Sequence, residues 1–246
     1  MRFLKILIVF IFFFAILSSV FVIYLAKLKG QSFFGKIARE ELIRHTFILS
    51  YANFNAPGDM KFLYLNPKTN SLEVNLRFNN NFAPDEDVEV WIKNMVKETT
   101  GKIAVINRFD NLNIAQNSLS DYELTNLEKE INKSHAIKLN IIYVPSYKEK
   151  ESLAGIVLSR DTIFIFRKAI DTLSEDKKTL KRLEKSTIMH EWGHLLGVEH
   201  TSDDNCIMSE RVEVYDKHML EAEQIPDEYC QETLFQIEEF QKSVGK

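Results

Sequence analysis

Three histidines, a glutamate and a glycine are spaced in this chain as a metal site on a helix requires. They lie in the stretch HEWGHLLGVEH, as His190, Glu191, His194, Gly197 and His200. Histidines four residues apart lie one helical turn apart on one face, so both rings can reach one cation. Three neutral imidazoles suit zinc and leave a fourth position for water, from which the adjacent carboxylate can take a proton. A glycine that adopts positive φ ends the helix and lets the chain turn back with the third histidine. The spacing predicts a zinc hydrolase site.

The phase of the predicted helix supports this interpretation. At roughly 100° per residue, the first two histidines fall nearly opposite the apolar face. That face contains Ile188, Trp192, Leu195 and Leu196. The alternative is a buried amphipathic helix that happens to carry histidines. Because the chain has only 6 histidines, three at this spacing with Glu191 and Gly197 in register favour the metal site.

The eleven residues and a methionine beyond them resemble the metzincin clan of zinc endopeptidases, whose pattern ends in a Met-turn. Met208 lies eight residues past His200, where that methionine is expected. The resemblance implies that His190, His194 and His200 bind Zn2+, that Glu191 is the general base, and that Met208 forms a hydrophobic floor under the metal. An ordinary core methionine is the alternative for Met208.

Two forms of the family come into question, matrixin-like and minimal archaemetzincin-like. Archaemetzincins are expected to carry four cysteines for a second zinc in the region after the motif. Here Thr201 follows the third histidine directly, and only Cys206 and Cys230 lie beyond it. A second zinc site is therefore not expected, and a reduced, matrixin-like lower domain fits better. Outside the cytoplasm the two cysteines could pair, and the sequence leaves a disulfide and two free thiols equally open.

Two runs before the motif are rich in residues that favour strands and predict a hairpin, residues 153–158 and 162–166. By the resemblance, the first run is the edge strand above the cleft. An exposed edge has unpaired N–H and C=O groups, so an extended peptide can add to it as one more strand. The expected substrate-binding residues are Gly155, Ile156, Val157 and Leu158. A plain edge strand without a ligand is the alternative.

Further elements follow from apolar periodicity and from Gly and Pro punctuation. The predicted strands are 62–65, 72–78, 102–108 and 137–144, and the predicted helices are 31–55, 84–99, 121–132, a long motif helix from Ser174 and a last helix from Pro226. The fold class is α+β. The resemblance implies a metzincin-like zinc peptidase domain, with a twisted, mostly parallel sheet, an antiparallel edge strand, a zinc helix and a small C-terminal subdomain, behind one N-terminal transmembrane helix.

The N-terminus carries an uncharged run from Ile6 to Ala26. About 20 apolar residues cross a bilayer as a helix, whereas a cleavable signal peptide has an apolar stretch of about 7–15. Tyr24 also disfavours cleavage after Ala26. We predict an uncleaved, single-pass signal anchor with the catalytic domain outside the cytoplasm; secretion after signal cleavage is the alternative. The expected domains are residues 1–29 (anchor), 30–59 (juxtamembrane helix or linker) and 60–246 (catalytic domain).

The composition of the chain limits which classes of molecule it is expected to bind. The net charge is −4 and no basic patch with interleaved aromatic residues is present, which argues against nucleic acid. The sequence predicts a membrane-anchored zinc-dependent endopeptidase that hydrolyses a peptide or protein by a zinc-activated water, with Glu191 as general base. The alternatives are a zinc hydrolase that acts on cell-wall peptides and a non-catalytic, membrane-tethered binding module. Nothing in the sequence indicates an oligomeric state.

Overall fold

The computed structural model describes residues 2–27, 33–45, 48–49, 53–132, 137–212 and 222–244. The chain divides into two compact units, Met1–Phe54 and Asn55–Lys246. The contacts of residues 55–59 thus place them with the second unit. The predicted domain boundaries after residues 29 and 59 stay a prediction.

The first unit consists mainly of two helices, α1 (Arg2–Lys27) and α2 (Phe33–Leu42). Within α1, Leu7–Lys27 is long and apolar enough to cross a membrane, with a mean hydropathy of 2.8. The Arg39 guanidinium of α2 donates to the last turn of α1, at 3.0 Å from the Ala26 carbonyl oxygen. The apolar helix suits either a membrane anchor or a signal sequence, and α2 lies inside the predicted juxtamembrane helix.

The second unit is built on a sheet whose described strands are β1 (Ser71–Arg77), β2 (Ile103–Phe109), β3 (Lys138–Val144), β4 (Gly155–Val157) and β5 (Thr162–Phe166). Their order across the sheet is β2-β1-β3-β5-β4. Strand β1 pairs in parallel with β2 and β3, and β3 pairs in parallel with β5. Strand β4 is antiparallel to β5 and lies at the edge. The prediction of a mostly parallel sheet with an antiparallel edge strand is confirmed.

The central strand explains why this sheet forms. All seven residues of β3 are buried, as expected for a parallel strand that is covered on both faces. Its one amide, Asn140, is satisfied inside the sheet, because the Asn75 side chain of β1 donates to its oxygen at 3.2 Å. Burial of this polar residue therefore costs little, and the pair fixes the register of β1 against β3.

Six helices of the second unit are described: α3 (Lys61–Tyr64), α4 (Val88–Thr100), α5 (Asp121–Ile131), α6 (Arg167–Leu173), α7 (Lys177–Leu195) and α8 (Gln231–Val244). Short 3-10 turns lie at Asn80–Phe82, Glu210–Val212 and Ala222–Gln224. Helix α4 ends at Gly101, which has φ +72°. Helix α5 begins with a capping box formed by Ser120 and Glu123. The predicted α+β class is confirmed.

The predicted strand at residues 62–65 is wrong, since this run forms helix α3. A short apolar run carries no periodicity that separates a buried strand from a buried helical turn. Tyr64 shows what the turn achieves: the side chain is fully buried, and its hydroxyl donates to the Lys138 carbonyl oxygen at 3.1 Å. One helical turn thereby connects the start of the unit to β3.

Two predicted helix starts are also wrong. The motif helix α7 begins at Lys177, because Asp176 caps it by accepting from the Thr179 amide at 2.8 Å. Ser174 instead ends the short helix α6, which the sequence did not reveal. The last helix begins at Gln231 rather than at Pro226.

A buried ion pair holds α7 against the sheet. The Glu184 side chain is only 1% exposed; its carboxylate pairs with the Arg167 guanidinium and accepts from the Tyr143 hydroxyl at 2.6 Å. Burial raises the pKa of Glu184, and the positive charge of Arg167 opposes that rise. The carboxylate thus depends on its partners, which lie in α6 and β3.

We expect Arg167→Met to lower the free energy of unfolding of the second unit by about 3–5 kcal/mol, because it leaves a buried carboxylate without its cation. The loss should shrink as the pH falls, since protonation of Glu184 removes the unpaired charge. Urea denaturation followed by tryptophan fluorescence measures it. The double variant Arg167→Met, Glu184→Gln should recover most of the stability; a double variant no more stable than the single one would contradict the ion-pair account.

Candidate metal centre and substrate cleft

The three histidines of the motif meet at one point. His190 Nε2 lies 3.0 Å from His194 Nε2 and 3.3 Å from His200 Nε2. The ligand atoms of all three side chains lie within 4.8 Å of one another. Two nitrogens bound tetrahedrally to zinc at about 2.0–2.1 Å would be separated by about 3.3 Å. The triad therefore has the spacing of a zinc site.

Backbone carbonyls determine which ring nitrogens carry protons. His190 Nδ1 lies 2.7 Å from the Ile207 carbonyl oxygen, and His194 Nδ1 lies 3.1 Å from the Val198 carbonyl oxygen. A carbonyl only accepts, so each Nδ1 donates, and in the neutral ring Nε2 then offers a lone pair to a metal. The two Nε2 atoms lie 3.0 Å apart. The donor set thus fits Zn2+, and outer hydrogen bonds orient both rings.

A glycine turn brings in the third histidine. Helix α7 ends at Leu195, and Gly197 follows with φ +79°. The Gly197 amide donates to the His194 carbonyl oxygen, and the Val198 amide donates to the Gly193 carbonyl oxygen, both at 3.0 Å. These two hydrogen bonds fix the turn to the helix that carries His190 and His194. The chain that follows the turn brings His200 back toward both of them.

Met208 packs against the motif helix. It is fully buried, and its backbone carbonyl accepts from the Thr201 amide at 2.9 Å. A Cβ on Gly193 would overlap with the Met208 sulfur and lie 2.9 Å from its Cε. Position 193 therefore has to lack a side chain for the methionine to lie this close to the helix. The role of Met208 as a hydrophobic floor under a metal stays a prediction.

The two cysteines are joined: Cys206 and Cys230 form a disulfide. Of the two possibilities that the sequence left open, the structure has the disulfide. The bond lies next to Ile207, whose carbonyl orients His190. The Ile207 amide donates to the Glu228 carbonyl oxygen at 3.2 Å. The disulfide and this hydrogen bond thus connect the same two stretches of chain.

A cleft of about 570 Å3 opens beside the triad. Its walls include Glu191, His194, His200 and all three residues of β4. Ile156 and Val157 of that strand are partly exposed, so the edge is open to a ligand. Leu158, the fourth predicted contact, lies beyond β4 and packs against the core cluster of β3, β5 and α5. The structure thus brings three of the four predicted substrate residues to the cleft.

Strand β4 passes directly over the Glu191 side chain. A Cβ on Gly155 would lie 2.5 Å from Thr187 Cγ2, 3.1 Å from Glu191 Cγ and 3.2 Å from Glu191 Oε1. Glycine is thus what allows the edge backbone to approach the carboxylate this closely. Glu191 itself is only 3% exposed, at the base of the cleft.

Comparison with known proteins agrees with this geometry. Residues 127–210, which include the motif and Met208, match the model of the family described as zincin-like metallopeptidases. Over these residues the chain is similar to zincin-like metallopeptidases. No curated protein matches the sequence. The predicted resemblance to zinc metallopeptidases is confirmed, and the family match together with the histidine triad assigns Zn2+ as the cofactor.

Solved structures agree on the fold. An archaemetzincin from Methanopyrus kandleri is similar with a TM-score of 0.52 at 14% identity, over 72% of this chain and 99% of that chain. A zinc-dependent peptidase from Methanocorpusculum labreanum gives 0.46 at 13% identity, over 67% and 99%. Metalloproteinase-II from Bacteroides fragilis gives 0.45 at 13% identity, over 69% of this chain and 53% of that chain. At 14% identity the Methanopyrus kandleri structure shows a similarity of fold alone, and this similarity confirms the predicted fold class.

Several groups of the site were not predicted. The carbonyls of Val198 and Ile207 orient two of the three histidines, and the sequence carries no signal for a backbone contact of this kind. Pro57 also lines the cleft, a contact that was not among the expectations from the sequence.

We expect Gly155→Ala to reduce kcat/KM by about 100-fold while zinc content stays at the wild-type level, because the new methyl group displaces the Glu191 carboxylate and leaves the histidines in place. Metal analysis and peptide hydrolysis measure the two effects. Thr187→Ser removes the nearest obstructing methyl group, so the double variant should regain part of the loss. Full activity of Gly155→Ala would show that the close approach is irrelevant to the reaction.

Proposed function

We propose that the chain is a membrane-anchored, zinc-dependent endopeptidase. The observation that carries the proposal is the convergence of three imidazole nitrogens, with His190 Nε2 lying 3.0 Å from His194 Nε2 and 3.3 Å from His200 Nε2, beside Glu191 in the same cleft. Three neutral nitrogen ligands with a neighbouring carboxylate are the arrangement used for hydrolysis by a metal-activated water. We assign His190, His194 and His200 as the ligands.

The chain's own groups divide the reaction between them. When bound, zinc lowers the pKa of water and polarises a carbonyl group. Glu191 accepts the proton of the attacking water and delivers it to the leaving amine, as a general base and then a general acid. The open edge of β4 provides N–H and C=O groups for an extended peptide, which pairs with Gly155, Ile156 and Val157. Met208 supports the ligands from below the helix.

The location follows from two features. Helix α1 has the length and the hydropathy of a membrane span. The Cys206–Cys230 disulfide is typical of compartments outside the cytoplasm, where thiols are oxidised. We therefore place the catalytic unit on the outer side of a membrane, with an intact signal anchor.

We expect Glu191→Ala to retain one zinc per chain and to lose activity by a factor of about 100 to 10,000, since only the proton transfer is removed. His194→Ala should lose both zinc and activity, because two ligands do not hold the metal. Metal analysis and hydrolysis of a quenched peptide library by the full chain in detergent measure both. Glu191→Gln, which keeps the shape, serves as the control and should match Glu191→Ala.

The same assay separates the rival functions. Cleavage of muropeptides in place of proteins would indicate a cell-wall hydrolase. Zinc binding without turnover on either substrate would indicate a binding module. Wild-type rates in Glu191→Ala would overturn the assignment of the base.

Membrane anchoring is tested on the full chain in cells that carry out translocation. We expect the protein to stay in the membrane pellet after alkaline carbonate extraction, with its N-terminal residues intact. Arg at both Ile11 and Phe14 should release it, because each charge in the middle of a span costs about 2.5–3.5 kcal/mol. Leu at the same two positions is the matched control. A soluble wild-type protein that begins after Ala26 would favour cleavage and secretion.

A further inference from the structure

The turn that delivers His200 is enclosed by a segment far away in the sequence. We propose that Pro57–Lys61, the 57–61 segment, positions the metal ligands by holding the Gly197 turn in place. Gly58 and Lys61 act through Gly197 and touch neither metal nor substrate, so they are positioning residues. The inference rests on the proposed role of the histidines as zinc ligands.

Two backbones meet without side chains on one side of the turn. Gly58 has φ +81° and Gly197 has φ +79°. A Cβ on Gly58 would lie 3.1 Å from Gly197 Cα, 3.6 Å from its amide nitrogen and 3.7 Å from the His194 carbonyl oxygen. Such an approach is tighter than ordinary van der Waals contact, so any side chain at position 58 must push the turn or be pushed away from it.

Lys61 covers the other side of the turn. A Cβ on Gly197 would lie 2.8 Å from Lys61 Cδ and 3.3 Å from its Nζ. The Lys61 side chain is buried, and its ammonium group lies 4.2 Å from the centre of the Phe240 ring in α8. A cation over an aromatic face is attracted to it, and a cation at the C-terminal end of a helix is also favoured, here at the end of α7.

The 57–61 segment is held in place by its own hydrogen bonds and packing, so it can in turn restrain the Gly197 turn. Asp59 is buried, and its carboxylate accepts from the Ala56 amide at 2.7 Å. The Lys61 amide donates to the Gly58 carbonyl oxygen at 3.2 Å. Helix α3 continues from Lys61 to Tyr64, whose ring packs against Trp192 of α7 with centroids 5.0 Å apart. The 57–61 segment and helix α7 are therefore connected through the packing of Tyr64 on Trp192.

The contact with the 57–61 segment matters because the Gly197 turn orients two of the three histidines. The Val198 carbonyl accepts from His194 Nδ1, so a shift of the turn tilts the second ligand. His200 follows two residues later, so the same shift moves the third ligand. Pro57 also lines the cleft together with Val198. Loss of outer support for a metal ligand lowers metal affinity by about 10- to 100-fold.

The chain offers a matched control for the test. Gly101 also has positive φ, +72°, and a Cβ there would meet nothing within 4 Å. Gly58→Ala and Gly101→Ala therefore impose a similar backbone strain, and only Gly58→Ala presses on the Gly197 turn. The full chain in detergent is loaded with zinc, and zinc release to a chromophoric chelator is followed over time. Cobalt(II) loading adds a visible spectrum that reports the ligand geometry.

We expect Gly58→Ala to release zinc about 10- to 100-fold faster than the wild type and to change the cobalt spectrum, while Gly101→Ala matches the wild type in both. Equal release rates for the two variants overturn the proposal. If Gly58→Ala does not fold, Lys61→Ala replaces it, with Lys61→Met as the conservative variant, because methionine keeps the stem over Gly197. Fast release from Lys61→Ala and slow release from Lys61→Met support the role of the 57–61 segment, and slow release from both overturns it.

Zinc release also separates this proposal from the proposed function. A wild type that binds zinc and cleaves no peptide contradicts the endopeptidase and leaves the release comparison intact. A wild type that cleaves peptides, with Gly58→Ala releasing zinc as slowly as Gly101→Ala, contradicts only the role of the 57–61 segment.

Discussion

The convergence of three imidazole rings on one point is the constraint on which this structure depends. His190 Nε2 and His194 Nε2 lie 3.0 Å apart, while the Nδ1 atoms of the same rings lie against the Ile207 and Val198 carbonyls. With each Nδ1 donating to its carbonyl, the Nε2 atoms of the neutral rings are the ones available to bind a cation. The two carbonyls that orient the rings belong to the loops that follow the helix.

The helix that carries the histidines is held on its other side by packing and by charge. Trp192 is fully buried between the histidines in sequence, and its indole N–H donates to Thr99 of α4 at 2.9 Å. Glu184, further toward the N-terminus, is paired with Arg167. A helix fixed at two points along its length cannot roll, so its metal-binding face keeps its direction. Rigid support of this kind is what keeps ligand geometry within the tolerance of zinc.

Much of this arrangement is visible in the sequence, and its limits have physical reasons. The spacing of His190, Glu191 and His194 is dictated by the helical repeat, and the buried run of β3 by a parallel sheet, so both could be predicted. The run 62–65 could not, since four apolar residues suit a helical turn and a strand alike. Contacts between backbones, such as Gly58 against Gly197, could not be predicted either, because a glycine at such a contact looks the same in the sequence as a glycine in any turn.

The disulfide stabilises the loop that follows the motif, and this loop orients His190. Cys206 and Cys230 are 24 residues apart, and closing a loop of that size removes unfolded-chain entropy worth about 3 kcal/mol in the loop-closure description. The bond also adjoins Ile207, whose carbonyl oxygen lies 2.7 Å from His190 Nδ1. The loop is held besides by the burial of Ile207 and Met208 and by hydrogen bonds such as that from Ile207 to Glu228, worth about 1 kcal/mol. The cross-link and the carbonyl that orients His190 thus lie at adjacent residues, so whatever stabilises this loop also stabilises the orientation of that ring.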